Sequence, residues 1–203
     1  MKTHNKPVIF IDFGGVYFTY ASHGLKKFLP KLNVTHKGML KILLGTNWTS
    51  HATGKIDEDT YWNYVAKKLK VSGDEINEIK KTWYNHPSPQ DGMPELIKKL
   101  RKKYKVAALS SITAPWIEIL EKNYKISRTF HDHHYSYDHG IDKPDAAFFL
   151  SAAKKMNVAP EDCIVVDDMK KFLASVKKTG AKTILFKDAK QLEREFRKLG
   201  VEA

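Results

Sequence analysis

Asp12, Ser110, Lys143 and the pair Asp167-Asp168 are the residues of this chain whose types could do group-transfer chemistry together. The apolar run Val8-Ile9-Phe10-Ile11 stops at Asp12 and runs into Gly14-Gly15. In the same way Val106-Ala107-Ala108-Leu109 stops at Ser110-Ser111, and Cys163-Ile164-Val165-Val166 stops at Asp167-Asp168. A short apolar run that ends in glycine or polar residues is the pattern of a buried parallel strand feeding a loop. With Lys143 expected just past a strand as well, four positions would converge on one sheet edge and bring together three carboxylates, an ammonium and a hydroxyl. Carboxylates crowded into a partly dry cleft repel one another, and a divalent cation is what normally holds such a group together. Oxygen ligands without His or Cys partners predict Mg²⁺ rather than zinc.

The elements that must position these residues follow from the periodicity. Thr183-Ile184-Leu185-Phe186 before Lys187-Asp188 is a fourth strand-like run. Leu96, Ile97, Leu100 and Tyr104 share one face of a helix over 94–104, and Phe148, Phe149, Ala152 and Met156 do the same after Pro144. The tail Ala189 to Leu199 reads as a closing amphipathic helix. Strands alternating with helices predict a three-layer, Rossmann-like α/β fold with a parallel sheet and ligands at the carboxyl ends of its strands. Residues 17–90 break the alternation. Helical patterns at Leu25 to Leu32, Met39 to Leu44, Tyr61 to Leu69 and Ile76 to Tyr84 are separated by turn signals at Gly45, Gly54 and Ser72-Gly73, and the breaker His86-Pro87-Ser88-Pro89 ends them. The expected organisation is therefore an α/β core from 1–16 and 91–203, with a helical cap over 17–90 inserted after the first strand. Asp57 is placed as the N-cap of a cap helix, and Tyr61, Trp62 and Tyr64 behind it are read as core.

Bulk properties narrow the classes. A chain of 203 residues with 42% hydrophobic content can bury one core and a small accessory subdomain without disulfides. Cys163, the single cysteine, sits inside an apolar run. The N-terminal stretch has neither a small-residue cleavage site nor a membrane-length span, so a cytoplasmic setting is expected. The net charge of +12 is distributed as pairs such as Lys98-Lys99 and Lys154-Lys155, which read as solvated faces of separate helices. Like charge concentrated in an arm or tail is absent, so nucleic acid is not the expected partner, and the positive field would attract a small phosphorylated metabolite.

Four segments together carry a family resemblance. Val8-Ile-Phe-Ile-Asp-Phe-Gly-Gly-Val16, Leu109-Ser-Ser111, Gly140-Ile-Asp-Lys-Pro-Asp145 and Val165-Val-Asp-Asp-Met169 resemble the four ordered motifs of the haloacid dehalogenase superfamily. The segments 54–62 and 176–186 resemble its branch with a small helical cap, which holds sugar-phosphate phosphatases and the phosphatase domain of epoxide hydrolases. The resemblance implies that Asp12 is the nucleophile, forming an aspartyl-phosphate that water hydrolyses. It implies that Ser110 donates to a phosphoryl oxygen and that Lys143 neutralises the transferring group. The phosphate would be bound by Ser110, Ser111, Lys143 and the Gly14-Gly15 loop. Mg²⁺ would be held by Asp12, Asp168, Asp167 and the backbone carbonyl of Gly14.

One departure bears on mechanism. The family pattern has a second aspartate two positions after the nucleophile, serving as general acid and then base; here that position is Gly14. Such assistance is worth roughly 10²–10⁴ in rate. Three consequences stay open: a cap residue supplies the proton, with His23 and His51 the candidates by type; the leaving group needs little protonation, as in a sugar 1-phosphate; or the chain binds phosphate without turnover. Phe172, where relatives often carry asparagine, also motivates the silent reading. A phosphoacceptor signalling domain uses similar residues but in the reverse order along the chain.

Overall fold

The computed structural model describes residues 6–202. Five parallel strands form its sheet: β1 (Val8–Ile11), β2 (Val106–Ser110), β3 (Asp132–Tyr135), β4 (Cys163–Asp167) and β5 (Lys182–Leu185), in the order β3-β2-β1-β4-β5. The chain winds outward from β1 to β3, then returns to the other side of β1 with β4. That reversal makes the carboxyl ends of β1 and β4 a topological switch point, where a crevice opens. Asp12 and Asp167 stand at those two ends. Ile11 is in register with Ala108 on one side and Val166 on the other, which aligns the strand tips.

Alternation along each buried strand divides the core into two layers. Ile9, Ile11, Ala108 and Val166 face Leu96 and Leu100, on a helix over Met93–Leu100, and Phe196, on one over Ala189–Lys198. Phe10, Ala107, Leu109 and Val165 face Phe149, on a helix over Ala146–Lys155, and Phe172 and Val176, on one over Lys170–Lys177. This is the expected three-layer fold.

Between β1 and Met93 the chain is helical: α1 (Leu29–Leu32), α2 (His36–Leu43), α3 (Thr46–Ala52), α4 (Glu58–Leu69) and α5 (Gly73–Asn85). Their apolar faces, with Leu25 from a 3₁₀ helix over Ala21–Phe28, build a separate cluster around Leu43, Trp48, Tyr61, Val65 and Trp83. Local signals start and stop these helices. The Asp57 carboxylate accepts from Thr60 N–H at 2.7 Å, as expected of an N-cap, and Ser72 with Glu75 closes a capping box ahead of α5. Two strips of chain join this layer to the sheet side by side, with Thr19 N–H bonded to the Ser88 carbonyl and Gln90 N–H to that of Tyr17, both at 2.9 Å.

Several expectations are corrected. The fifth strand has no apolar run to announce it: β3 reads Asp-His-His-Tyr, because Asp132 and His133 lie partly exposed at the sheet's edge. Lys143 does not directly follow a strand; a helical turn over Ser136–His139 and a loop separate it from β3. The pattern at Leu25 to Leu32 is a 3₁₀ helix over Ala21–Phe28 that continues into α1. Helices α3 and Ala114–Tyr124 were not foreseen.

Candidate active site

At the strand tips, buried charge is concentrated on very few atoms. Lys143 Nζ lies 2.8 Å from Asp12 Oδ1 and 2.6 Å from Asp167 Oδ2, with all three residues buried. Asp12 Oδ1 also accepts the backbone N–H of Phe13 at 2.7 Å, and among the described residues Oδ2 has no hydrogen-bond donor. Both oxygens of Asp167 are engaged, since Oδ1 accepts from Met169 N–H at 2.7 Å. Asp167 thus orients the lysine from behind. Asp168 instead lines the cavity in front of the strand tips, together with Asp12 and Lys143.

The charge balance of this cluster is unfavourable as it stands. Burial pushes the Asp12 carboxyl up to about 7, with Asp167 and Asp168 adding to the rise and Lys143 opposing it. Burial also raises Asp168. For Lys143, burial alone would lower the ammonium, but Asp12 and Asp167 outweigh it and hold it above its ordinary value. Asp12, Asp167 and Asp168 each place an oxygen within 4.8 Å of the others. One lysine against three carboxylates leaves negative charge over, which is the donor set and electrostatic deficit that a hard dication satisfies.

The two serines separate by role. Ser110, the last residue of β2, is buried and lines the cavity, and no protein group takes up its hydroxyl among the described residues. Ser111 also reaches the cavity, but its hydroxyl donates to Asp142 Oδ1, which in turn accepts the Lys143 backbone N–H at 2.9 Å. Ser111 therefore fastens the loop that carries Lys143.

The two glycines also differ. Gly15 has φ +80°, and a Cβ there would come within 2.5 Å of the Tyr20 ring and 2.6 Å of Asp168 Oδ2, so only glycine fits. A Cβ on Gly14 would meet nothing within 4 Å. Position 14 is thus open to a Cβ, and the acidic side chain of the family pattern is not there. Neither His23 nor His51 borders the cavity. His23 is exposed, with its ring against Tyr20, while His51 is buried against Tyr61 with Nδ1 3.3 Å from the Ile56 carbonyl. Burial lowers the His51 pKa, which favours the neutral ring.

Phe172 has a structural explanation: its buried ring lies 5.1 Å from Lys143 Nζ and supports the ammonium through a cation–π contact. Gln90 was missed by sequence reasoning. Its side-chain amide donates to the Gly15 carbonyl at 2.7 Å and that of Val16 at 3.1 Å, pinning the loop after Asp12 from 75 residues away. No local signal marks it. The cavity holds about 380 Å³, with its charged end at the strand tips and its far wall formed by the helical layer.

A family model described as haloacid dehalogenase-like hydrolase matches residues 8–170, a span that includes every strand but β5. The chain belongs to that family. Among curated proteins it is similar to flavin mononucleotide hydrolase 1 of Arabidopsis thaliana, 26% identical over 157 residues that cover 76% of this chain and 62% of that protein. It is also similar to an uncharacterised Dictyostelium discoideum protein, 27% identical over 71% of this chain and 65% of the other. The chain thus spans under two thirds of these relatives. Among solved structures, an enzyme of this family from Bacteroides thetaiotaomicron, in complex with magnesium and inorganic phosphate, superposes with a TM-score of 0.75 at 21% identity, covering 95% of this chain and all of the other. No helix among the described residues is long and apolar enough to cross a membrane.

Proposed function

We propose that this chain is a Mg²⁺-dependent phosphatase that hydrolyses a phosphomonoester of a small metabolite through an aspartyl-phosphate on Asp12. The carrying observation is that Lys143 grips one oxygen of the Asp12 carboxylate, leaving the other without a protein partner at a cavity large enough for an organic phosphate. Asp12 Oδ2 attacks phosphorus, and the bond from phosphorus to the alcohol oxygen breaks. Water then cleaves the acyl phosphate, releasing inorganic phosphate and restoring the carboxylate. Ser110 and Lys143 bind phosphoryl oxygens, with Ser111 and the Gly14-Gly15 loop completing the phosphate site. Asp12 and Asp168 would hold the Mg²⁺ with the Gly14 carbonyl, Asp167 adding its charge from the same cluster while its oxygens hold Lys143 and the Met169 N–H, and the ion when bound supplies charge neutralisation to the phosphoryl group. Residues 1–16 and 91–203 serve as the catalytic core and 17–90 as the cap that selects substrate.

The relative named for flavin mononucleotide hydrolysis and the structural neighbour holding magnesium and phosphate support this reading. With glycine at position 14 and neither cap histidine at the cavity, the leaving group is one that departs with little protonation. The same observation favours a second reading, a phosphate-binding protein with little or no turnover. Hydrolysis of 4-nitrophenyl phosphate decides between them, because nitrophenolate leaves without an acid. Wild-type protein with Mg²⁺ is expected to turn it over and to lose that activity with EDTA. Activity no greater than that of Asp12→Asn would sink the phosphatase reading.

A further inference from the structure

The two ends of the cavity differ in chemistry. At the strand tips stand Asp12, Ser110, Ser111, Lys143 and Asp168, and beyond them the wall turns apolar. Trp48 and Trp83 from the cap cluster meet Trp116 from the helix over Ala114–Tyr124, with ring centroids 5.2 to 6.1 Å apart. Ile112 and Leu120 continue this surface. Away from the strand tips the lining side chains with a polar atom, besides the indoles, are Thr19, Tyr20 and Ser22, and none of the lining residues there is charged. The Thr19 hydroxyl accepts from Ser88 N–H at 3.1 Å, which fixes its oxygen and leaves it one donor.

A second observation concerns the mouth. Four large hydrophobic residues are exposed among the described residues: Tyr20, Leu44, Leu150 and Met169. Three of them, Tyr20, Leu44 and Met169, border this one cavity. Single exposed apolar residues scattered over a surface are ordinary, but clustering at a cleft marks a surface that something apolar covers.

We infer that the substrate is a phosphomonoester of a largely apolar alcohol, whose body lies along the tryptophan wall and reaches the rim at Leu44. The inference rests on the proposed phosphatase reading for the role of the strand tips. A sugar phosphate is the poorer fit, because each hydroxyl taken from water needs a replacement hydrogen bond, and beyond the strand tips the lining hydroxyls are only those of Thr19, Tyr20 and Ser22 against a wall of indole rings, Ile112 and Leu120. An apolar body gains on entering it: each buried methylene contributes about 0.8 kcal/mol, close to a fourfold gain in affinity. A fused aromatic ring and an aliphatic chain share this binding chemistry, so both are tested; of the two, the aromatic alcohol is the one that leaves with little protonation, as glycine at position 14 requires.

Binding is measured by calorimetry on Asp12→Asn protein with Mg²⁺, using 1-naphthyl phosphate, decyl phosphate, ribose 5-phosphate and inorganic phosphate. At least one of the apolar phosphates is expected to bind tenfold or more tightly than ribose 5-phosphate, and the tighter of the two identifies ring or chain. Leu44→Ser, at an exposed position on the rim, is expected to weaken the preferred apolar ligand about fivefold and to leave ribose 5-phosphate unchanged. Ribose 5-phosphate binding as well as both apolar ligands, or an apolar advantage that Leu44→Ser leaves intact, overturns the inference. Turnover of acetyl phosphate by the wild type is followed in parallel. Turnover without an apolar preference sinks this inference alone, whereas an apolar preference without turnover sinks the phosphatase reading and leaves the tryptophan wall as a binding site for an apolar phosphate.

Discussion

The two ends of one cavity are built on different plans. At the strand tips a few side chains are held by short polar contacts: Lys143 by two carboxylates and an aromatic ring, Asp167 by two donors, Ser111 by Asp142. At the far end the wall is a set of packed rings, drawn from the helical layer and from the helix over Ala114–Tyr124, whose identities depend on packing between helices. Parallel strands in register deliver polar groups to fixed places, while helices present broad surfaces whose character follows from bulk. The comparison teaches that chemistry and selection are separable here: changes at the tips should act on turnover, and changes in the wall on affinity.

Asp12→Asn is the strongest test of that division. It keeps the size of the side chain and removes the nucleophile, so turnover of 4-nitrophenyl phosphate is expected to fall on the order of 10⁴-fold or more with phosphate binding retained. Equal losses in binding and turnover would break the division. Lys143→Met comes next, with kcat expected to fall roughly 10²–10³-fold as charge stabilisation at the phosphoryl group is lost. Its melting temperature, measured alongside, separates that loss from unfolding.

Gly14→Asp sharpens the comparison from the other direction. This position is open to a Cβ, and an acid there should raise turnover of alkyl phosphates about tenfold or more while leaving 4-nitrophenyl phosphate nearly unchanged. A uniform change across both substrates would show that proton supply is not what position 14 lacks.

The smallest effect lies at the far edge of the sheet, away from both ends of the cavity. Burial lowers His139 to about 4, with Lys155 and His134 adding positive charge nearby, and its Nδ1 lies 2.8 Å from the Ser151 hydroxyl. Unfolding restores an ordinary histidine near 6.5, so the unfolded chain binds more protons between about pH 6.5 and 4. The stabilising contribution is complete above that window and is lost as pH falls through it. His139→Gln should flatten the urea midpoint against pH in this range and leave turnover at pH 7 alone. An unchanged midpoint profile would assign the acid sensitivity to other groups.

Legibility in the sequence followed the range of the interactions. Asp12, Ser110 and Asp167-Asp168 could be found because each ends an apolar run, and a buried parallel strand leaves that trace whatever surrounds it. The Asp57 cap was readable because its bond spans three residues. Strand β3 was not, since an edge strand with partly exposed residues needs no continuous apolar run. His23 and His51 were candidates by residue type alone; the helical layer turns one to the surface and buries the other in its own core.

Composition and pattern along the chain determined that a parallel sheet would form and that acidic groups, a hydroxyl and glycines would sit at its strand ends, because these follow from local burial and backbone freedom. Only the tertiary structure decided that Asp167 serves the lysine while Asp168 meets the cavity, that Gln90 pins the loop after Asp12, and that tryptophans from two layers form an apolar wall opposite the phosphate site. Those outcomes depend on which faces of distant segments meet, and no spacing within the chain encodes that.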